Sequence, residues 1–215
     1  MDAAKLESKV NKGYGKAALR IGYDNAVYRA QSATSTPIAP ANKVATLKAS
    51  FNAEDMKYSR PNKYGKATWW GVFDRTTTLV GDYLVGPDGT FFIASQQTIL
   101  PTLMVECNET LDVLRPQTQT GVGALDYGGN IDATETPLMT GWPASVLQGT
   151  KGEKTETSLP GDVRSPWWLV LMPQYAGVII ESDDILKDNL GRRFVVSSAE
   201  LTDAGWRMTA MQART

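Results

Sequence analysis

The densest group of side chains that could do chemistry is acidic: Glu181, Asp183, Asp184 and Asp188 fall within one short stretch. A calcium or magnesium loop needs oxygen ligands at alternating positions, a central glycine and a closing glutamate. The segment SDDILKDNLG breaks that order with Ile185 and Leu186. The acids are therefore expected to be solvated groups flanking a hairpin, and no metal site is expected. A glycosidase needs two carboxylates facing one another in a cleft, and among 23 acidic residues nothing singles out a pair. The chain has no histidine. That removes the commonest general base and transition-metal ligand, so Ser-His-Asp and Cys-His nucleophile systems cannot be assembled. Cys107 adjoins Glu106 and has no imidazole to take its proton, which disfavours the thiolate; it reads as a small buried hydrophobe. The GVG at 121–123 lacks the strand, helix and further glycines of a phosphate-binding turn. The expectation is a protein that is not an enzyme and holds no cofactor.

With chemistry set aside, the candidate working residues are those that could make contacts. Lys5, Lys9, Lys12, Lys16 and Arg20 recur at spacings of 4, 3, 4 and 4, which aligns them along one face of a helix. They read either as a solvated face or as an arm that docks on an acidic partner surface or near packaged DNA. Trp69-Trp70 and Trp167-Trp168 are two pairs of adjacent tryptophans. Trp69-Trp70 could form a stacking platform for sugars or bases, but in a strand neighbours point to opposite faces, so this pair is expected to divide between core and interface. Trp167-Trp168 opens a run of six apolar residues, expected to be a strand buried on both faces or one facing another subunit.

The elements that must position these residues follow from periodicity. Leu6, Val10, Tyr14, Ala17 and Ile21 form an apolar stripe that predicts a helix from Asp2 to Ile21, capped by Asp2 and ended by Gly22. Residues 30–42, rich in Ala and Ser with Pro37 and Pro40, read as an extended linker that would let the helix lie on another surface or another subunit. Short runs rich in Val, Thr, Ile and aromatics then fill 43–116 and 166–215. At that spacing they predict antiparallel strands of a barrel or sandwich. Between the two halves, 117–165 reads as long polar loops, with a short helical turn at Trp142–Leu147. The expected organisation is a helical arm (1–29), a linker (30–42), a first β half (43–116), loops (117–165) and a second β half (166–215) packing with the first. The fold class is mainly β, an antiparallel barrel or sandwich with an N-terminal α-helical arm.

One phrase is written twice. DYLVGPDGTFFIAS (82–95) and DILKDNLGRRFVVS (184–197) match without a gap at Asp82/Asp184, Leu84/Leu186, Gly89/Gly191, Phe92/Phe194 and Ser95/Ser197. Each reads as a hairpin with glycine in its turn.

Composition bounds the rest. The 42% hydrophobic content and net charge of −1 fit a soluble globular chain. No run approaches the length of a membrane helix, and MDAAKLESKV lacks the apolar region of a secretory signal. The single cysteine excludes an internal disulfide and fits assembly in a reducing cytoplasm. Charge is asymmetric: residues 1–75 carry 13 basic and 6 acidic side chains, net +7, and the remainder 9 and 17, net −8. Such asymmetry speaks to association partners.

The stretches GDYLVGPDGTFFIASQQTILPTLMVECNETLDVLRP (81–116) and DDILKDNLGRRFVVSSAELTDAGWRMTA (183–210) resemble proteins encoded among the head and neck genes of tailed bacteriophages, in particular the β-barrel hairpins of head-to-tail connectors, stoppers and collar proteins. The chain is longer than simple stopper barrels, adding the helical arm and long loops. The resemblance implies a non-catalytic virion protein at the neck, assembled in the host cytoplasm as a six- or twelve-fold homo-oligomeric ring. Portal, adaptor or tail proteins would be its partners, with DNA in the central channel and no membrane contact. The competing reading is a carbohydrate-binding or host-recognition β module of a tail or baseplate accessory, resting on exposed tryptophans.

Overall fold

The computed structural model describes residues 2–53, 66–117, 135–149 and 167–213. Helix α1 (Ala3–Ile21) leads into two closed antiparallel barrels of six strands each. The first contains β1 (Tyr23–Tyr28), β2 (Lys43–Ala53), β3 (Thr68–Val72), β4 (Tyr83–Gly86), β5 (Gly89–Ser95) and β6 (Thr102–Cys107), ordered β1-β2-β3-β6-β5-β4 and closed by pairing of β1 with β4. The second contains β7 (Glu109–Pro116), β8 (Glu135–Gln148), β9 (Trp167–Met172), β10 (Ile185–Asp188), β11 (Arg193–Thr202) and β12 (Gly205–Gln212). Its order is β7-β8-β9-β12-β11-β10, closed by β7 on β10. Adding six to each strand number of the first barrel gives the second. The expected mainly-β barrel fold is present, as one topology used twice, and closure leaves neither sheet an open edge.

The duplicated hairpins occupy the same place in both barrels, but the gapless match holds only in their first arms. Tyr83 pairs with Phe92 and Leu84 with Phe91, whereas Ile185 pairs with Val195 and Leu186 with Phe194. The counterpart of Phe194 is thus Phe91, which lies in the first barrel's own core, and not Phe92. Likewise, the bulge between Ile93 and Ser95 matches that between Val196 and Ser198. The second turn holds one extra residue, which puts Gly191 at φ +79°. A one-residue shift turns every following side chain to the other face, so matching letters at 92 and 194 conceals opposite orientations.

The barrels meet along a shared apolar core. Tyr83, Phe92, Ala94 and Val105 of the first barrel cluster with Leu111, Trp142, Val146 and Leu186 of the second. The rings of Tyr83 and Trp142 meet edge to face with centroids 6.2 Å apart, and Tyr83 Oη donates to Pro143 O at 2.8 Å. Only Asn108 separates β6 from β7. Its side chain accepts from Val146 N at 2.7 Å and donates to Val146 O at 2.9 Å, which pins the junction. The interior of the first barrel has a separate core of Val27, Leu84, Phe91, Ile93 and Met104, which Ala18 of the helix joins.

Several expectations are corrected. The barrels divide the chain at Asn108: β1 lies within the segment assigned to the arm, and β7 belongs to the second barrel. Trp142–Leu147 is part of strand β8, not a helical turn. Residues 30–42 are not a linker to a distant surface but the β1–β2 connection, laid across the second barrel. There Ala33 O accepts from Trp142 Nε1 at 2.7 Å and from Thr140 N at 3.0 Å, and Gln31 O accepts from Tyr175 Oη at 2.9 Å. Of the segment 117–165 expected as long loops, 135–148 is strand β8, and the remainder, apart from 117 and 149, lies outside the described residues. So does the expected loop at 54–66, apart from 66.

Candidate interaction surface

Two of the four carboxylates that opened the sequence reading, Asp184 and Asp188, are buried in structural contacts. Asp184 is buried and accepts from Arg115 Nε and Nη2, both at 2.9 Å, and from Glu181 N at 2.8 Å, while Arg115 Nη2 also donates to Ile179 O at 2.9 Å. Asp82 repeats this unit. It accepts from Arg29 Nε at 2.8 Å, Arg29 Nη2 at 2.7 Å and Leu79 N at 2.8 Å, and Arg29 Nη2 donates to Thr77 O at 3.2 Å. Each arginine sits at the end of its barrel's first strand and clamps the residue that precedes the fourth. Hydrogen bonding to the aspartate raises each guanidinium above its ordinary pKa, against the lowering by desolvation. Asp188 is also buried and accepts from Arg192 Nε at 2.5 Å and Arg192 N at 2.7 Å. The expectation of solvated acids therefore holds for Glu181 and Asp183, both exposed, and fails for Asp184 and Asp188. The sequence carries a signal for the clamps: Val27-Tyr28-Arg29-Ala30-Gln31 and Val113-Leu114-Arg115-Pro116-Gln117 share V-x-R-x-Q. Among the described residues no three His, Cys, Asp or Glu side chains converge as a metal site.

The tryptophans do not form a common surface. Trp69 points its Nε1 at Glu106 Oε2, 2.8 Å away, and meets the Phe91 ring edge-on. Trp168 occupies the corresponding place in the second barrel, edge-on to Phe194 with centroids 5.7 Å apart. Trp70 and Trp167 are half-buried, Trp142 and Trp206 are buried, and none of the six is exposed.

The basic residues do share a surface. Helix α1 is fixed to the first barrel from Asn11 onwards. Asn11 Oδ1 accepts from Arg75 Nε at 2.5 Å, Tyr14 Oη donates to Ile99 O at 3.0 Å, and Ala18 is buried. Arg75 itself is buried and held by the carbonyls of Gln97, Thr98 and Leu100. At Gly22 the chain passes so close to β2 that a Cβ would lie 2.6 Å from Ala49 O. The buried contact is Ala18, not the predicted stripe, whose ends Leu6 and Ile21 stay exposed. At about 100° per residue, Lys5, Lys9, Lys12, Lys16 and Arg20 fall within an arc of roughly 80°, centred nearly opposite Ala18, and extend about 22 Å along the axis. All five are exposed. Ala3 to Lys9 are exposed throughout, so about two turns of helix overhang the body. Beside the helix, Lys12, Lys16, Leu19, Asp24, Leu47 and Lys48 line an open groove of about 490 Å³. Its Lys48–Asp24 ion pair, at 3.3 Å, is solvent-exposed and contributes little to stability.

Fold and surface together define a class: a tandem double β-barrel with a docked, overhanging basic helix. No protein-family model, curated protein or solved structure matches the chain. No helix among the described residues is long and apolar enough to cross a membrane.

Proposed function

We propose that this is a non-enzymatic virion subunit of the tailed-phage neck, forming a homo-oligomeric ring that joins the head to the tail. The observation that carries the reading is α1: a helix held rigidly by its C-terminal half, with two free turns and an outward face of five cations. An unpacked helix end of this length is marginal by itself, and a single-sign stripe favours an acidic partner face. A neighbouring copy or a partner ring would supply both the cover and the charge. Asp82, Asp184 and Asp188, and Trp69, Trp142 and Trp168, are engaged in contacts within the fold, which supports the same reading.

The test is native mass spectrometry and negative-stain microscopy of the full chain and of a chain lacking residues 1–9. Removing 1–29 would delete β1 and open the first barrel, so only the overhang is cut. The expected result is a six- or twelve-fold ring for the full chain and loss of ring assembly or head–tail joining for the truncation. Normal assembly of the truncated chain would refute the clasp. A monomeric full chain that binds glycans would favour the recognition-module reading.

A further inference from the structure

Because the barrels are duplicates, each surface of one has a counterpart on the other, and one pair is used unequally. On the first barrel a row of outward side chains runs across five strands: Tyr28 pairs with Tyr83, Tyr83 with Phe92, Phe92 with Val105 and Val105 with Thr68. Tyr83, Phe92 and Val105 of this row belong to the core shared with the second barrel, and β6 lies on β8. The matching row on the second barrel is Leu114–Ile185–Val195–Met211–Trp167, joined by the same sequence of pairings. All five are apolar. None belongs to the shared core; Met211 is 46% exposed and Leu114, Val195 and Trp167 are half-buried, with Ile185 buried at the centre.

The opposite surface also has a counterpart. β8 carries the first barrel, and its equivalent β2 carries α1. On this side Leu19, which lines the groove, is 68% exposed, and Val44, farther along β2, is 44% exposed. We propose that the Leu114–Ile185–Val195–Met211–Trp167 row of one copy docks on the α1-bearing side of the first barrel of a second copy, repeating between chains the barrel-on-barrel contact that joins the two halves within one. The occupant is inferred from the chain itself: the only described cover for a row of this kind is another barrel of the same topology. Contact between unlike surfaces of identical subunits is heterologous and propagates into a ring or a filament. This deepens the ring reading by naming its two surfaces, and rests on it for closure.

The experiment uses full-length Val195→Asp/Met211→Asp and full-length Leu19→Asp, with thermal melts to confirm folding. All three side chains point away from the barrel interiors. Each variant should weaken self-association on the order of 100-fold, as expected for a charge placed in an apolar contact. Mixing the two variants should give a one-to-one dimer and nothing larger, because each retains one intact surface. Wild-type-like assembly of Val195→Asp/Met211→Asp, or no dimer on mixing, overturns the proposal; a wild-type ring that survives the variants leaves the ring reading intact. Loss of assembly in the variants, with a dimer on mixing, supports the surfaces even where the wild-type assembly is an open filament, which would refute the ring alone.

Discussion

Raising the pH above about 9 should weaken the protein at the seam between its barrels. Tyr83 is fully buried there, with its hydroxyl on Pro143 O. Burial first, and the nearby Cys107 second, raise its pKa well above 10.0. Burial likewise pushes the Cys107 thiol up from 9.0. Both groups are neutral when protonated, so the folded protein keeps protons that the unfolded chain releases. Their contribution is complete below the unfolded values and falls as pH rises through and beyond them. Each retained proton costs about 1.4 kcal/mol per pH unit. At pH 11 that is about 1.4 kcal/mol for the fully buried Tyr83 and at most about 2.7 kcal/mol for the half-buried Cys107, together about 2–4 kcal/mol. Against a typical domain stability of about 5–15 kcal/mol, the loss is easily measured. Urea unfolding followed by far-UV circular dichroism, from pH 7 to 11 at fixed ionic strength, gives the slope. Tyr83→Phe should cost about 1 kcal/mol near pH 8 through its lost hydrogen bond, then regain its deficit by pH 11. A Tyr83→Phe/Cys107→Ala double variant should lack most of the alkaline decline. If wild type and double variant lose equal stability between pH 8 and 11, the seam is not the dry contact argued here.

The clamps should be equivalent: Asp82→Ala and Asp184→Ala should each destabilise by about 2–3 kcal/mol in urea unfolding, below the cost of a fully buried pair because the arginines keep partial access to water. An effect under about 0.5 kcal/mol at either site, the size of an ordinary surface change, would contradict the duplication as a shared stabilising unit. Asp183 is the one described non-glycine residue at positive φ, +72°, where its counterpart Gly81 stands at +90°. Asp183→Gly should therefore raise the melting temperature slightly, by up to about 1 kcal/mol in stability, since relief of left-handed backbone strain exceeds the added chain entropy. A lower melting temperature would show that the Asp183 side chain is needed in place.

What the sequence determined by itself was local. The helix at 3–21, the turn glycines, the two hairpins and the mainly-β class all follow from spacing and composition over a few residues. The absence of histidine excluded whole classes of chemistry without any structure. What only the tertiary structure decided was set by contacts between residues far apart in the chain. Asp184 read as a solvated acid and Asp82 only as a letter of a hairpin, because their partners Arg115 and Arg29 lie 69 and 53 residues away. Strand β1 went unread because its pairing with β4, which closes the barrel, has no local signature. Residues 30–42 looked like a linker because small residues and proline do not reveal that Ala33 and Gln31 offer their carbonyls to the second barrel. The twin phrase showed the same division most clearly: letters alone aligned Phe92 with Phe194, while one extra turn residue sends the first to the barrel–barrel seam and the second into the barrel interior. Local propensity specifies elements. Which of their faces are buried, and which remain free for another chain, depends on a register that only strand pairing across the whole fold can fix.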